Sequence, residues 1–188
     1  MEMTSTRSVP APVATVWAAL NDPAMLMACI PGCESLEADG ENAFRIALAA
    51  RIGPVAAKFT GRMELADIDA PNGYTLTFEG QGGAAGFARG DAKVQLAPEE
   101  NGATTALSYT VKAQVGGKIA QIGSRLVDGA AQKLADDFFA RFSDAVAAKA
   151  GVAPVTASAA APRRHWVRYV AVAIIVGILA FLASRWAR

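Results

Sequence analysis

The sequence predicts an α+β fold in which a curved antiparallel sheet wraps around one long helix in the C-terminal half, followed by a C-terminal transmembrane helix. Three patterns predict it. From residue 118 to residue 149, apolar residues recur at steps of three and four, which is the period of an amphipathic helix. The predicted apolar stripe of this helix is Ile119, Ile122, Leu126, Ala130, Leu134, Phe138, Phe142 and Val146. From residue 34 to residue 115, apolar and polar residues alternate instead, as they do in half-buried strands. After Pro162 the chain becomes an apolar segment flanked by arginines.

A strand and two short helices are expected before the main sheet. The strand runs from Glu2 to Val9 and is ended by Pro10. Helical spacing of apolar residues indicates a first short helix within residues 13–20. Asp22 stands directly before a second helix, expected at residues 23–29, where its carboxylate can cap the N-terminus.

The sheet is expected to contain six or seven antiparallel strands. Turn sequences separate the alternating stretches at residues 39–40, 71–73 and 99–102. Because an antiparallel sheet with one wet face must cover its other face, the long helix is expected to lie across it. This order of elements resembles the helix-grip arrangement of START-like domains, and the resemblance implies that a cavity can lie between sheet and helix.

Nine large side chains are candidates for the wall of such a cavity. The same residues would form an ordinary core if no cavity exists, and the sequence does not separate these two interpretations. The candidates are Phe44, Phe59, Met63, Phe78, Phe87, Tyr109, Leu134, Phe138 and Phe142.

A glycine-rich run at residues 80–90 joins two of the predicted strands. It lacks the helix, the lysine and the hydroxyl that follow the glycines of a phosphate-binding loop. We therefore expect a wide hairpin in which the backbone closely approaches another element. The alternative is a mobile flap or docking loop, with Gly82, Gly83, Gly86 and Arg89 as its candidate residues.

Three segments are expected along the chain: a helix-grip domain at 1–150, a flexible linker at 151–165 and a membrane anchor at 166–186. Residues 151–162 are small, uncharged and aperiodic. Residues 169–183 carry no charge, and a helix over 166–186 would span about 31 Å, close to the hydrocarbon thickness of a bilayer. An interfacial or partner-docking helix is the alternative, although no polar face is visible. The expected anchor residues are Trp166, Tyr169, Ile174, Ile175, Leu179, Phe181 and Trp186.

Composition argues against several functions. The first 162 residues contain 13 basic and 17 acidic residues, which argues against nucleic acid binding. The N-terminus has no secretory signal, so we expect the body in the cytoplasm, with Cys29 and Cys33 as reduced thiols. His165 is the only histidine, so neither a metal site nor histidine catalysis is expected in the body. We expect a protein without enzymatic activity; a small hydrolase or cyclase using Asp, Glu or Tyr is the alternative.

Four blocks of sequence resemble one family. Residues 23–36 (PAMLMACIPGCESL), 53–61 (GPVAAKFTG), 80–90 (GQGGAAGFARG) and 108–142 are similar, in the same order, to the carbon monoxide dehydrogenase G-subunit family of the START-like (SRPBCC) superfamily. The resemblance implies an accessory protein that recruits a molybdenum hydroxylase of the carbon monoxide dehydrogenase type to the inner face of the cytoplasmic membrane.

The same resemblance implies an apolar cavity for a quinone or similar lipid, which would link the enzyme to the respiratory chain. No resident cofactor is implied. Two alternatives remain at this point: a purely structural membrane tether without a ligand, and a protein that binds a lipid or small hydrophobic ligand for another partner.

Overall fold

A computed structural model of the chain describes residues 2–151. The predicted linker beyond Gly151 and the predicted anchor lie outside the described residues. Two single 3-10 turns, Gly83–Ala85 and Glu100–Gly102, accompany the helices and strands. The elements in chain order are β1 Glu2–Val9, α1 Val13–Leu20, α2 Pro23–Cys29, β2 Cys33–Ala38, β3 Ala43–Ile52, β4 Val55–Asp69, β5 Gly73–Gln81, β6 Phe87–Glu99, β7 Thr104–Gly116, α3 Lys118–Gln121 and α4 Ser124–Gly151.

The seven strands form one antiparallel sheet in the order β1-β7-β6-β5-β4-β3-β2. Strands that follow each other along the chain pair as hairpins from β2 to β7, and β1 adds to the far side of β7. The turn between β2 and β3 is closed by a 2.8 Å hydrogen bond from the Asp39 amide to the Ala43 carbonyl, as the Asp-Gly sequence predicts. The predicted curved sheet is confirmed, with seven strands.

Helix α4 covers the inward face of the sheet. Phe142 and Val146 of α4 are fully buried, and so are Leu107 and Val111 of β7. Burying a side chain of this size contributes about 1.5–3 kcal/mol to folding. The core therefore sits between the sheet and α4, as the two periodicities predict.

Helices α1 and α2 close one end of this core. The Asp22 carboxylate accepts hydrogen bonds from the amides of Ala24 and Met25 at 3.1 and 3.3 Å, which confirms the predicted cap of α2. Lys149, in the last turns of α4, donates to the same carboxylate at 3.0 Å. Partial burial raises the pKa of Asp22, but the bonds from Lys149 and the two amides outweigh it and lower the pKa.

The single helix predicted over residues 118–149 was wrong in one respect, because the structure divides it. Helix α3 ends at Gln121, Gly123 has a φ of +97°, and α4 begins at Ser124. The break shifts the buried stripe at the start of α4: Leu126 is 53% exposed, and the buried residues are instead Val127, Ala131 and Ala135. Within residues 2–151, neither α4 nor any other helix is long and apolar enough to cross a membrane.

Candidate ligand-binding site

Seven of the nine predicted wall residues lie in one interior cluster. Strands β3, β4, β5 and β7 and helix α4 bring them together, because each side chain occupies the inward phase of its element. None of the seven is more than 6% exposed. Leu134, the eighth, is half-buried and packs against the edge of the cluster. The seven are Phe44, Phe59, Met63, Phe78, Tyr109, Phe138 and Phe142.

Phe87, the ninth, was assigned wrongly. It is 45% exposed and lies on the outward face at the start of β6, because the next residue, Ala88, takes the inward position. Its ring covers Gly116 of β7, where an added Cβ would lie 2.3 Å from a ring carbon. Phe87 therefore shields the outside of the sheet and does not contribute to the interior.

A row of aromatic rings connects β7 to α4 at the centre of the cluster. Tyr109 stacks on Phe139 with ring centroids 5.6 Å apart and an interplanar angle of 13°. Phe139 meets Phe138 edge-on at 5.3 Å, and Phe138 stacks on Phe142 at 5.3 Å. Offset-stacked and edge-on pairs of this kind are favourable. Phe139 was missed as a candidate because the predicted helical stripe contained only one residue per turn at this point.

The Tyr109 hydroxyl lacks a hydrogen-bond partner, although the residue is only 1% exposed. Buried hydroxyls are usually paired, and leaving one unpaired costs about 1–3 kcal/mol. The hydroxyl sits on an inward-facing side chain whose ring is already held by Phe139. It is a free donor that an oxygen-bearing apolar ligand could use.

A second unpaired donor lies beside the same ring. The guanidinium carbon of Arg7 is 5.6 Å from the centroid of Phe139, and its head group pairs with the Asp136 carboxylate. The Arg7 Nε atom is buried without a partner. Phe139 is thus flanked by two donor atoms, the Tyr109 hydroxyl and the Arg7 Nε, that have no acceptor among the described residues.

The glycine-rich connection between β5 and β6 packs directly on the interior. An added Cβ at Gly82 would lie 2.0 Å from a ring carbon of Phe59, and one at Gly86 would lie 1.9 Å from the Gly116 carbonyl. Gly83 has a φ of +56° and makes the turn. Arg89 points outward, where its Nε donates to Gln114 at 3.2 Å. The close approach predicted for this run is confirmed; its role as a flap or docking loop stays a prediction.

Two surface grooves were not predicted. One, of about 980 Å³, is lined by side chains of both charges on the outward face of the sheet, among them Arg62, Glu79 and Lys112. The other, of about 430 Å³, lies between β1 and α4 beside Met3 and Asp128. An apolar ligand is disfavoured in the first groove because its walls are charged. The second runs along the open edge of the sheet–helix interface.

The two cysteines are free thiols, not a disulfide. Burial raises the pKa of Cys29, and burial together with the Glu34 carboxylate raises the pKa of Cys33. Both thiols therefore stay protonated near neutral pH, which makes them weak nucleophiles. Within residues 2–151, no group of three or more His, Cys, Asp or Glu side chains is placed to hold a metal ion.

Comparisons with known proteins bear on both fold and family. The family model that describes the G-subunit of carbon monoxide dehydrogenase (CoxG) matches residues 6–147. No curated protein gave a match. Among solved structures, a conserved protein from Geobacillus kaustophilus is 36% identical with a TM-score of 0.75, and the match covers 79% of this chain and 97% of that chain.

Two more distant structures show the fold. A START superfamily protein from Mycobacterium smegmatis is 11% identical with a TM-score of 0.61, covering 79% of this chain and 98% of that one. An aromatase/cyclase from Streptomyces is 13% identical with a TM-score of 0.58, covering 80% and 95%. The predicted START-like arrangement is confirmed.

Proposed function

Because this chain belongs to the carbon monoxide dehydrogenase G-subunit (CoxG) family, we propose that it is a non-catalytic accessory protein of a molybdenum hydroxylase of the carbon monoxide dehydrogenase type. It recruits this enzyme to the inner face of the cytoplasmic membrane. There it binds a quinone or similar lipid between the sheet and α4, which couples the enzyme to the respiratory chain. The segment predicted at 166–186 is its single membrane anchor.

The buried, unpaired Tyr109 hydroxyl is the observation that supports the ligand. A quinone combines a flat apolar ring with carbonyl acceptors, and the site offers aromatic faces at Phe138 and Phe139 beside a free donor. A hydrogen bond to that carbonyl would satisfy the hydroxyl, while the ring would replace aromatic contacts already present. An unsubstituted hydrocarbon could not supply the acceptor.

A structural tether without a ligand is the second candidate function. It is favoured by the direct stacking of Tyr109 on Phe139, which packs β7 against α4, and by the stacking of Phe138 on Phe142 within α4. In this case the protein would still hold the enzyme at the membrane, and Tyr109 would only be an unpaired core residue.

Extraction of the purified full chain separates the two candidates. The protein is isolated from native membranes in detergent, extracted with organic solvent and analysed by mass spectrometry against a detergent-only blank. We expect a quinone in stoichiometric amount in wild type and less in Tyr109→Phe. Wild-type protein that is consistently empty, yet still recruits the enzyme, would leave the tether as the function.

Recruitment is tested by membrane sedimentation. In cells that contain the full chain, the molybdenum hydroxylase should sediment with the membranes, and it should move to the supernatant when the gene is deleted. Hydroxylase activity measured with an artificial dye should stay unchanged in the deletion, because the accessory protein does not take part in the chemistry. An enzyme that sediments equally in both strains would contradict the proposal.

A further inference from the structure

One end of the molecule gathers three chain connections, which we call the loop end: residues 51–58, 82–89 and 116–126. Antiparallel pairing places the end of β3, the start of β6 and the end of β7 on the same side of the sheet. The connections also touch. An added Cβ at Gly53 would lie 3.7 Å from Leu126 and 3.9 Å from Ile122, and Gly86 packs on the backbone of Gly116 and Gly117.

The loop end exposes apolar side chains. Three large hydrophobic residues are exposed within residues 2–151, and two of them, Leu126 at 53% and Phe87 at 45%, lie here. The third, Met27, is on α2. Ile122 and Val55 add half-buried apolar surface within the loop-end segments. The loop end therefore exposes large apolar side chains, whereas the groove on the outward face of the sheet is lined by charged ones.

The three segments of the loop end carry only basic charges. Its three segments contain Arg51, Lys58, Arg89, Lys118 and Arg125 and no acidic residue, whereas the first 162 residues as a whole have more acidic than basic residues. Within the part of the chain that the structure describes, Lys118 and Arg125 form no ion pair, and the Nε of Arg51 bonds only to the Gly53 carbonyl.

The remaining charges near this end are few. Lys58 pairs with Glu34 at 2.9 Å, and Arg89 lies opposite Glu79 in the β5–β6 register. Asp128 is the nearest acidic residue along α4 and lines the groove beside β1. Lys118 and Arg125 therefore give the loop end, where Leu126 and Phe87 are exposed, a net positive charge.

We propose that the loop end docks on the surface of an anionic lipid bilayer. Leu126 and Phe87 would enter the boundary between headgroups and acyl chains, and the free basic residues would contact lipid phosphates. A second copy of this surface is a poorer partner because it carries the same positive charge. Docking here brings the lipid next to Gly82 and the ring of Phe59 beneath it. The inference rests on the proposed membrane location but not on the ligand.

Site-specific quenching in vesicles tests the contact. The full chain, with Cys29 and Cys33 replaced by Ala, carries an environment-sensitive dye at Ala84→Cys, which is exposed at the loop end, or at Glu100→Cys, which is exposed in the β6–β7 turn at the opposite end. It is reconstituted into phosphatidylcholine vesicles with a spin-labelled lipid, with or without phosphatidylglycerol as the anionic component. We expect quenching at position 84 in anionic vesicles and little at position 100.

Charge variants then separate docking from mere proximity. Lys118→Glu with Arg125→Glu should reduce the fraction of protein that docks, measured as quenching of the dye at position 84, roughly tenfold or more. Each basic residue near an anionic surface contributes several-fold in affinity. Lys93→Glu with Arg141→Glu makes the same net change at exposed residues elsewhere and should have little effect.

The contrary outcomes distinguish failure of the docking surface from failure of the membrane location. Flotation on a density gradient shows whether the protein is bound to the vesicles. Protein that floats with the vesicles but shows no quenching at position 84, or equal quenching at positions 84 and 100, would overturn this inference alone. Loss of flotation would overturn the membrane location and the docking with it. Energy transfer between copies labelled at position 84, present in detergent and independent of lipid, would assign the loop end to a second copy instead.

Discussion

At the scale of single residues, two buried atoms beside the Phe139 ring, the Tyr109 hydroxyl and the Arg7 Nε, have no hydrogen-bond partner among the described residues. A phenylalanine at position 109 would fill the same space without an unpaired hydroxyl. The stacking on Phe139 holds the Tyr109 ring in place whether or not its oxygen has a partner. The hydroxyl therefore costs stability in the ligand-free protein, and a ligand acceptor would remove that cost.

Tyr109→Phe should therefore have opposite effects on stability and on binding. The free energy of unfolding of ligand-free protein should stay the same or rise, by at most about 1–3 kcal/mol, because an unpaired buried hydroxyl is removed. Affinity for a short-chain quinone should fall roughly three- to tenfold with the loss of one hydrogen bond. Urea unfolding and fluorescence titration measure the two quantities.

The neighbouring hydroxyl provides the control for this substitution. Ser108 faces outward on the same strand and pairs with Thr6 at 2.9 Å, so Ser108→Ala should leave quinone affinity unchanged. Equal affinity of wild type and Tyr109→Phe for the quinone would remove the hydroxyl from the binding site.

Asp22 gives a second prediction at this scale. Asp22→Ala should lower the free energy of unfolding by about 0.5–2 kcal/mol at pH 7, because it removes the cap of α2 and the contact with Lys149. The pKa of Asp22 is lowered in the folded state, so its contribution is present above the unfolded value of 3.8 and is lost as the pH falls through the folded value.

Urea unfolding at pH 7 and pH 3 measures this effect. Wild type should lose more stability between these pH values than Asp22→Ala does. Glu41→Ala, at an exposed position in the β2–β3 turn, is the control and should follow wild type. If wild type and Asp22→Ala lose the same free energy of unfolding between pH 7 and pH 3, the Asp22 carboxylate has the same pKa in the folded and the unfolded protein.

At the scale of elements, the start and the stability of α4 depend on two glycines, Gly123 and Gly129. Neither Gly123 nor Gly129 has an atom within 4 Å of an added Cβ, so space does not distinguish them. Gly123 has a φ of +97° and separates α3 from α4, whereas Gly129 lies inside α4. The same substitution should consequently have opposite effects at the two positions.

Gly129→Ala should raise the free energy of unfolding by about 0.5–1 kcal/mol, because alanine is the better helix former. Gly123→Ala should lower it by about 1–2 kcal/mol, because an L side chain is strained in a left-handed conformation. Thermal and urea unfolding of the pair measure both signs. If Gly123→Ala is also stabilising, residues 118–149 can form the single continuous helix that the sequence predicts.

Local chemistry explains which elements were predictable. The cap at Asp22, the turn at residues 39–40 and the inward phases of β3 and β4 depend on neighbouring residues and were confirmed. The first turns of α4 were not predicted correctly, because one left-handed residue at Gly123 shifts the phase of everything after it. Phe87 and Phe139 were misjudged for a related reason: a strand's first residue and a residue beside a helical stripe have a phase that only tertiary packing fixes.

The sequence indicated seven residues of the candidate site, but not the unpaired polar atoms on which the proposed ligand depends. Hydrophobic periodicity identifies inward-facing residues such as Phe138 and Phe142. It says nothing about whether a polar atom among them has a partner. The unpaired atoms of Arg7 and Tyr109 depend on contacts between β1, β7 and α4, which are far apart in the sequence.

At the scale of the whole molecule, the loop end and the C-terminus of α4 lie at opposite ends of the domain. Helix α4 begins beside Leu126 at the loop end and ends near Lys149, which contacts Asp22. Its 28 residues span about 42 Å. If the segment at 166–186 is anchored, residues 152–165 must bridge much of this distance when the loop end docks. Covalent geometry limits these fourteen residues to a span of about 50 Å.

Deleting residues 152–159 should therefore abolish docking but not anchoring. The six remaining residues reach about 22 Å, which is too short to let the loop end face the bilayer. The full-length deletion variant should still float with anionic vesicles, while quenching at the Ala84→Cys label should be lost. Replacing residues 152–159 with eight Gly and Ser residues keeps the reach and should keep the quenching. The six remaining residues cannot span the distance from the C-terminus of α4 to a bilayer at the loop end. Quenching of the deletion variant as strong as that of wild type would therefore contradict an arrangement in which the loop end docks while residues 166–186 are anchored.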